Sequence, residues 1–197
     1  MFKIRRRFIS ITILLLIPIT AIMLFHSKPA SDWFDSQTGV YRFPYDRNSP
    51  EWLNAASAAE RQQLFVIPED LLHDIPTDQL LELVLAYPYN ANLYYFDTPL
   101  QGLIQVKGIF NGLSELLDRA DAGKYITEKF LEIPLPEENY TAGDDMIILM
   151  LSLQFIQAQL TESEYMNFIN KADELSQDQN SDFKTTLRVL NNTLHRQ

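Results

Sequence analysis

Five aromatic side chains fall within ten positions of this sequence: Tyr87, Tyr89, Tyr94, Tyr95 and Phe96. Rings gathered at a turn between helices offer large contact area on few rotatable bonds, and tyrosine adds a polar tip. Such a cluster suits a binding platform for a peptide or a sugar ring. The same rings can instead pack the Pro88 turn onto a core. The two readings differ in whether the rings face outward.

The ingredients of catalysis are sparse. The three histidines, His26, His73 and His195, include no pair at ligand spacing, so nothing points to a His-based zinc site. Ser114 lacks the Gly-x-Ser-x-Gly setting of a nucleophile elbow and reads as an exposed helix residue. No glycine-rich phosphate loop occurs. Asp178-Gln-Asn180-Ser-Asp182 imitates the first half of a calcium loop, but Phe183 stands where glycine is needed and Val189 where the bidentate glutamate belongs. Asp118 and Asp121 have the spacing of an acid–base pair, and serve more simply as a solvated face and a helix N-cap. Glu69-Asp70, Glu137-Glu138 and Asp144-Asp145 fall at helix starts or in loops, where capping and solubility account for them. There is no cysteine, which removes disulfides, thiolate metal sites and Cys nucleophiles together. These features weigh against an enzyme and imply neither a cofactor nor a metal.

Positioning these groups falls to a chain of 197 residues with a formal net charge of −10. The charge is unevenly spread. Residues 1–30 hold five basic side chains and no carboxylate, and the remainder holds 11 basic against 26 acidic. So acidic a domain repels nucleic acid and anionic head groups, and nucleic acid is excluded as a partner.

Residues 1–7 form a basic segment, and Phe8–Phe25 is an uncharged run of 18 residues, about as long as a bilayer core is thick when helical. The basic cluster stays cytoplasmic, which places residues from about 27 onward outside. Cleavage after Ser27 or Ala30 would put Phe25 or Lys28 at the −3 position, both poor, so a retained membrane anchor is favoured over a signal peptide; cleavage would make the chain secreted. Residues 26–48 have mixed polarity with Pro29, Gly39 and Pro44, and read as a stalk rather than a packed element. Within them Tyr41, Phe43 and Tyr45 alternate, as in an extended segment pressed against something apolar.

Residues 49–197 read as an acidic all-helical domain. Ser49-Pro50 starts a helix expected to run to about Leu64, with Trp52, Ala55, Ala56 and Ala59 on its apolar face. A short helix spans Pro68 to Ile75, and Thr77 caps a third that stops at Tyr87-Pro88. Asn90–Asp97 is a turn. Thr98-Pro99-Leu100-Gln101 is a capping box opening a helix with Leu100, Leu103, Ile104, Val106 and Phe110 inward, and Gly102 and Gly108 there point to close helix approach. After Asn111-Gly112 come segments 113–119 and 121–131. Met146–Leu160, apolar on nearly all sides, is the expected central helix. Thr161-Glu-Ser-Glu164 is a second capping box, and Ser181 is expected to cap a last helix carrying Phe183, Leu187, Leu190 and Leu194. The fold class is all-α: an irregular stack of antiparallel helical hairpins, an orthogonal bundle or α-α superhelix, behind the N-terminal hydrophobic helix.

Three strings in order, the Tyr-Pro-Tyr turn closing Leu80–Tyr89, Asn-Gly-Leu-x-Glu-Leu at Asn111–Leu116, and Arg-x-Asp-Ala-Gly at Arg119–Gly123, carry a resemblance. The stretch resembles an uncharacterised family of exported all-helical proteins of Gram-positive bacteria. The resemblance implies an exported helical domain and transfers no catalytic residue. Together these readings predict an extracytoplasmic interaction module with a protein or peptide partner, held in the membrane through residues 8–25. An envelope ligand-binding or sensor protein using the aromatic turn 87–96 is the alternative.

Overall fold

A computed structural model describes residues 28–134, 141–177 and 186–190. The hydrophobic run 8–25, the acidic stretch 135–140 and the calcium-loop imitation lie outside the described residues, as do Ser181, Phe183 and Leu194. Among the described residues, no helix is long and apolar enough to cross a membrane.

The structure is mostly helical, as expected; among the described residues its one sheet is a two-stranded hairpin of β1 (Phe34–Asp35) and β2 (Val40–Tyr41) after a 3-10 turn, Ala30–Trp33. This hairpin belongs to the domain. Trp33 and Tyr45 are buried, and Phe43 sits edge-on to Phe65 at 5.1 Å, so these rings fasten residues 28–48 onto the core where the sequence suggested a stalk. The alternation of Tyr41, Phe43 and Tyr45 carried that information; the prolines and glycine obscured it.

The first expected helix is two. Ser49 caps α1 (Pro50–Asn54), but the chain then extends, and Ser57 caps α2 (Ala58–Gln63) by accepting the Glu60 N–H at 3.1 Å. The Glu60 carboxylate reaches back to the Ala56 N–H at 2.7 Å. Ser-Ala-Ala-Glu is itself a capping-box string, so the break was legible in the sequence. As a result Ala55 is buried while Ala56 and Ala59 are exposed.

Next come α3 (Glu69–Leu72) and α4 (Thr77–Leu85), whose Leu80, Leu81, Leu83 and Val84 are all buried. Thr77 does not cap α4. Its hydroxyl donates to the Asp121 carboxylate at 2.9 Å. The capping boxes at Thr98 and Thr161 form as expected and open α5 (Pro99–Ile109) and α10 (Glu162–Gln177). On α5, Leu103, Val106 and the following Phe110 are buried, but Ile104 points to solvent. Between α5 and α10 lie α6 (Asn111–Asp118), α7 (Ala122–Leu131), α8 (Ala142–Leu151) and α9 (Gln154–Gln157).

The central element is α8, which touches α4, α5, α7 and α9. Every residue from Asp145 to Leu151 is buried. It ends earlier than the hydrophobic pattern suggested, at Leu151 rather than near Leu160. Ser152 turns its hydroxyl onto the Ile148 carbonyl at 2.9 Å, and the Gln157 side chain donates to the Leu151 carbonyl at 2.7 Å. The Gln157 side chain thereby satisfies a carbonyl that a longer helix would have bonded internally, while the Ser152 hydroxyl doubles the bond its own N–H already makes to Ile148. Leu187 and Leu190, in helical residues 186–190, join the same core.

Candidate functional site

The aromatic turn divides into an inner and an outer set. Tyr87 is buried, and its ring stacks on Phe110 at 4.3 Å with the planes 5° apart, within a group that includes Phe43 and Phe65. Burial pushes its hydroxyl well above the ordinary tyrosine range, and among the described residues that hydroxyl has no hydrogen-bond partner. Tyr89 packs against Trp52 at 5.8 Å and is half-buried, which also raises its pKa. Tyr87 and Tyr89 therefore pack the Pro88 turn onto the core. Tyr87, expected among the ligand-binding residues, is removed from any binding surface by its position.

Tyr94, Tyr95 and Phe96 face outward. They sit on and just after a 3-10 turn, Asn90–Tyr95, that local bonding holds firmly. Asn90 is buried and donates to the Val84 and Leu85 carbonyls at 2.9 and 3.0 Å, closing the end of α4. Leu93 is buried against α5 at Gly102, where a Cβ would lie 2.6 Å from the Leu93 Cα. The Tyr94 hydroxyl donates to the buried Asp145 carboxylate on α8. Burial first, then this bond and the charges of Asp145 and Asp144, raise the Tyr94 pKa well above its usual range. Tyr95 is 80% exposed and Phe96 projects beside it. The result is a small platform of rings on a rigid base. It borders Asp97, and residues 87–106 contain no Lys, Arg or His.

The other sequence candidates do not assemble. Asp118 is exposed and lies 3.9 Å from Lys107, whereas Asp121 is tied to Thr77, so the two carboxylates form no acid–base pair. His73 is exposed beside Glu115 at 3.4 Å. Ser114 is half-buried on α6 rather than exposed. Among the described residues, no three His, Cys, Asp or Glu side chains are grouped to hold a metal. A cleft of about 240 Å³ between the ends of α4 and α7 and the start of α8 is lined by Leu85, Lys129, Glu132, Ile133, Thr141 and Asp144. It is smaller than the roughly 300–1,000 Å³ usual for a small-molecule site. Its lysine is already engaged by Glu82 at 2.7 Å and Glu132 at 3.2 Å.

The strings that carried the family resemblance turn out to fasten the fold. Asn111 pairs with the Ile67 backbone in both directions, donating at 2.7 Å and accepting at 3.0 Å. The Arg119 guanidinium donates to the Ile75 carbonyl at 2.6 Å, the Leu72 carbonyl at 2.9 Å and the Glu115 carboxylate at 3.2 Å. The Gly123 N–H donates to the Gln159 side chain at 2.7 Å, and Gln159 returns a bond to the Arg119 carbonyl at 3.1 Å. These residues join segments more than 35 positions apart, a role that local sequence patterns do not reveal.

Comparison of the chain with protein-family models, with curated proteins and with solved structures yields no significant match.

Proposed function

We propose that this chain is a membrane-anchored or exported extracytoplasmic interaction module of the bacterial cell surface, an irregular stack of antiparallel helical hairpins that docks a protein or peptide through Tyr94, Tyr95 and Phe96. The observation that carries the reading is the outward set of the aromatic turn. Three adjacent rings stay exposed while the turn beneath them is held by the Asn90 bond to α4, the Tyr94 bond to Asp145 on α8 and the packing of Leu93 against Gly102 of α5. Exposing large rings on a pre-organised base costs solubility and favours association, because little entropy is lost when the partner arrives. The bordering Asp97 carboxylate, in a segment 87–106 without Lys, Arg or His, favours a neutral or basic partner segment over an acidic one. The alternative, an envelope ligand-binding or sensor protein, has less support, since the cleft between α4, α7 and α8 is small and is lined by side chains other than these rings.

The test is crosslinking of the tagged full-length chain in its own membranes, followed by identification of what is captured. A single reproducible envelope protein, lost from a Tyr95→Ala/Phe96→Ala double variant that melts like the parent, supports the reading. Tyr94 is left intact because it also braces Asp145. Capture unaffected by the double variant would sink the role of the platform.

A further inference from the structure

A second set of exposed apolar residues lies where the chain enters the domain. Phe25 closes the uncharged run, and Lys28 is already engaged with the domain: its ammonium is 3.8 Å from Glu51 and 5.0 Å from the Tyr45 ring. Lys28 is the third residue after Phe25, a reach of at most about 10 Å. Five residues beyond Lys28, Trp33 is buried in the core. A run that spans the bilayer would therefore leave no stalk, and this end of the domain would lie at the head groups.

Its surface suits that position. The hairpin carries Phe34 and Val40, which occupy adjacent rungs of the ladder and so project from opposite faces, each leaving part of its side chain in solvent. The turn between them, Ser36-Gln37-Thr38-Gly39, is exposed and uncharged. The one carboxylate at its base, Asp35, is occupied: it accepts the Gln37 and Thr38 N–H groups and pairs with Arg42 at 3.3 Å. On α1, Leu53 is 66% exposed, two residues from the glutamate that holds Lys28. Charge divides in the same sense. Residues 28–65 hold four basic and five acidic side chains, whereas residues 66–197 hold eight basic and 21 acidic. Anionic head groups would repel the second part and tolerate the first.

We infer that the hairpin end of the domain rests on the lipid surface, with Phe34, Val40 and Leu53 in the interfacial layer and the acidic helices turned away. This orientation leaves the domain no free rotation at the end of a tether. It rests on the anchoring role proposed above for residues 8–25.

The cysteine-free chain makes the test direct. Single variants Gln37→Cys, Val40→Cys and Glu128→Cys of the full chain are labelled with a fluorophore and reconstituted in phosphatidylcholine–phosphatidylglycerol vesicles containing shallow nitroxide-labelled lipid. Labels at positions 37 and 40 should be quenched about twofold or more relative to position 128. Adding Val40→Asp should reduce quenching at position 37 without altering the melting curve. Equal quenching at all three positions, in a chain that stays with the vesicles through alkaline carbonate, would overturn the inference and leave the anchor standing. Release by carbonate would remove the anchor, and the orientation would fall with it.

Discussion

At the scale of single residues, the bond between Tyr94 and Asp145 links the recognition surface to the core. Asp145 is only 4% exposed and lies on the central helix, so its charge relies on the few donors that reach it. Replacing Tyr94 by Phe keeps the ring but deletes one of those donors. A hydrogen bond to a charged group contributes about 1.5–3 kcal/mol, and urea denaturation of Tyr94→Phe should show a loss in that range. A loss under about 0.5 kcal/mol would mean that the bond does not brace the turn. Arg119 is the second such residue. Its planar fork serves two carbonyls and a carboxylate at once, so Arg119→Ala should cost about 2–4 kcal/mol. Arg119→Lys should recover little, because one ammonium cannot reproduce the divergent donors of a guanidinium. Full recovery by lysine would show that charge alone matters there.

At the scale of elements, α5 holds two glycines whose sequence contexts look alike and whose surroundings do not. Gly102 lies against the backbone of Leu93, so the side of α5 that faces the aromatic turn has room for hydrogen only. Gly108 has nothing within 4 Å of where a Cβ would sit. Gly102→Ala should therefore destabilise the domain by about 1–3 kcal/mol through forced separation of α5 from the turn. Gly108→Ala should stabilise it by up to about 1 kcal/mol, because alanine removes unfolded-state freedom and favours helix. Paired thermal melts of the two variants decide the matter, and equal signs would contradict this account. Capping chemistry explains the remaining boundaries. Thr98, Thr141 and Thr161 each accept the N–H three residues on, and their partners Gln101, Asp144 and Glu164 each return to the N-cap N–H.

For the whole molecule, several shifted groups point the same way at alkaline pH. Burial raises the pKa of both Tyr87 and Tyr94, and the bond from Glu82 raises that of Lys129. Each of these groups holds its proton more tightly when folded than when unfolded. Its contribution is complete below the ordinary value, 10.0 for tyrosine and 10.5 for lysine, and is lost as pH rises through the folded value. The melting temperature should therefore fall as pH rises above the ordinary tyrosine value of 10.0. In Tyr94→Phe the fall should be shallower, and an unchanged slope would remove Tyr94 from the account. Glu164 acts at the other end of the scale. The Thr161 N–H depresses its pKa, so its contribution is present above the ordinary value of 4.5 and is lost as pH falls through the folded value.

The sequence by itself determined the local features: the helical class, the capping boxes at Thr98 and Thr161, the proline stop after Tyr87, and the buried face of α4. Each is fixed by residues within one or two turns of one another, where propensity, capping and periodicity act. It also held, unread, the Ser57–Glu60 signal that splits the first helix. Only the tertiary structure decided which rings of the aromatic cluster face out, because Tyr87 and Tyr95 are the same residue type in similar local settings. What separates them is Phe110, which lies 23 positions after Tyr87 and covers its ring, while nothing covers Tyr95. The same holds for Asp145, which looks like a helix-dipole carboxylate until Tyr94 is brought beside it. It holds too for Asn111 and Arg119, whose partners lie 44 to 47 residues away. Contacts at that separation depend on how the helices pack, and no short window of sequence encodes them.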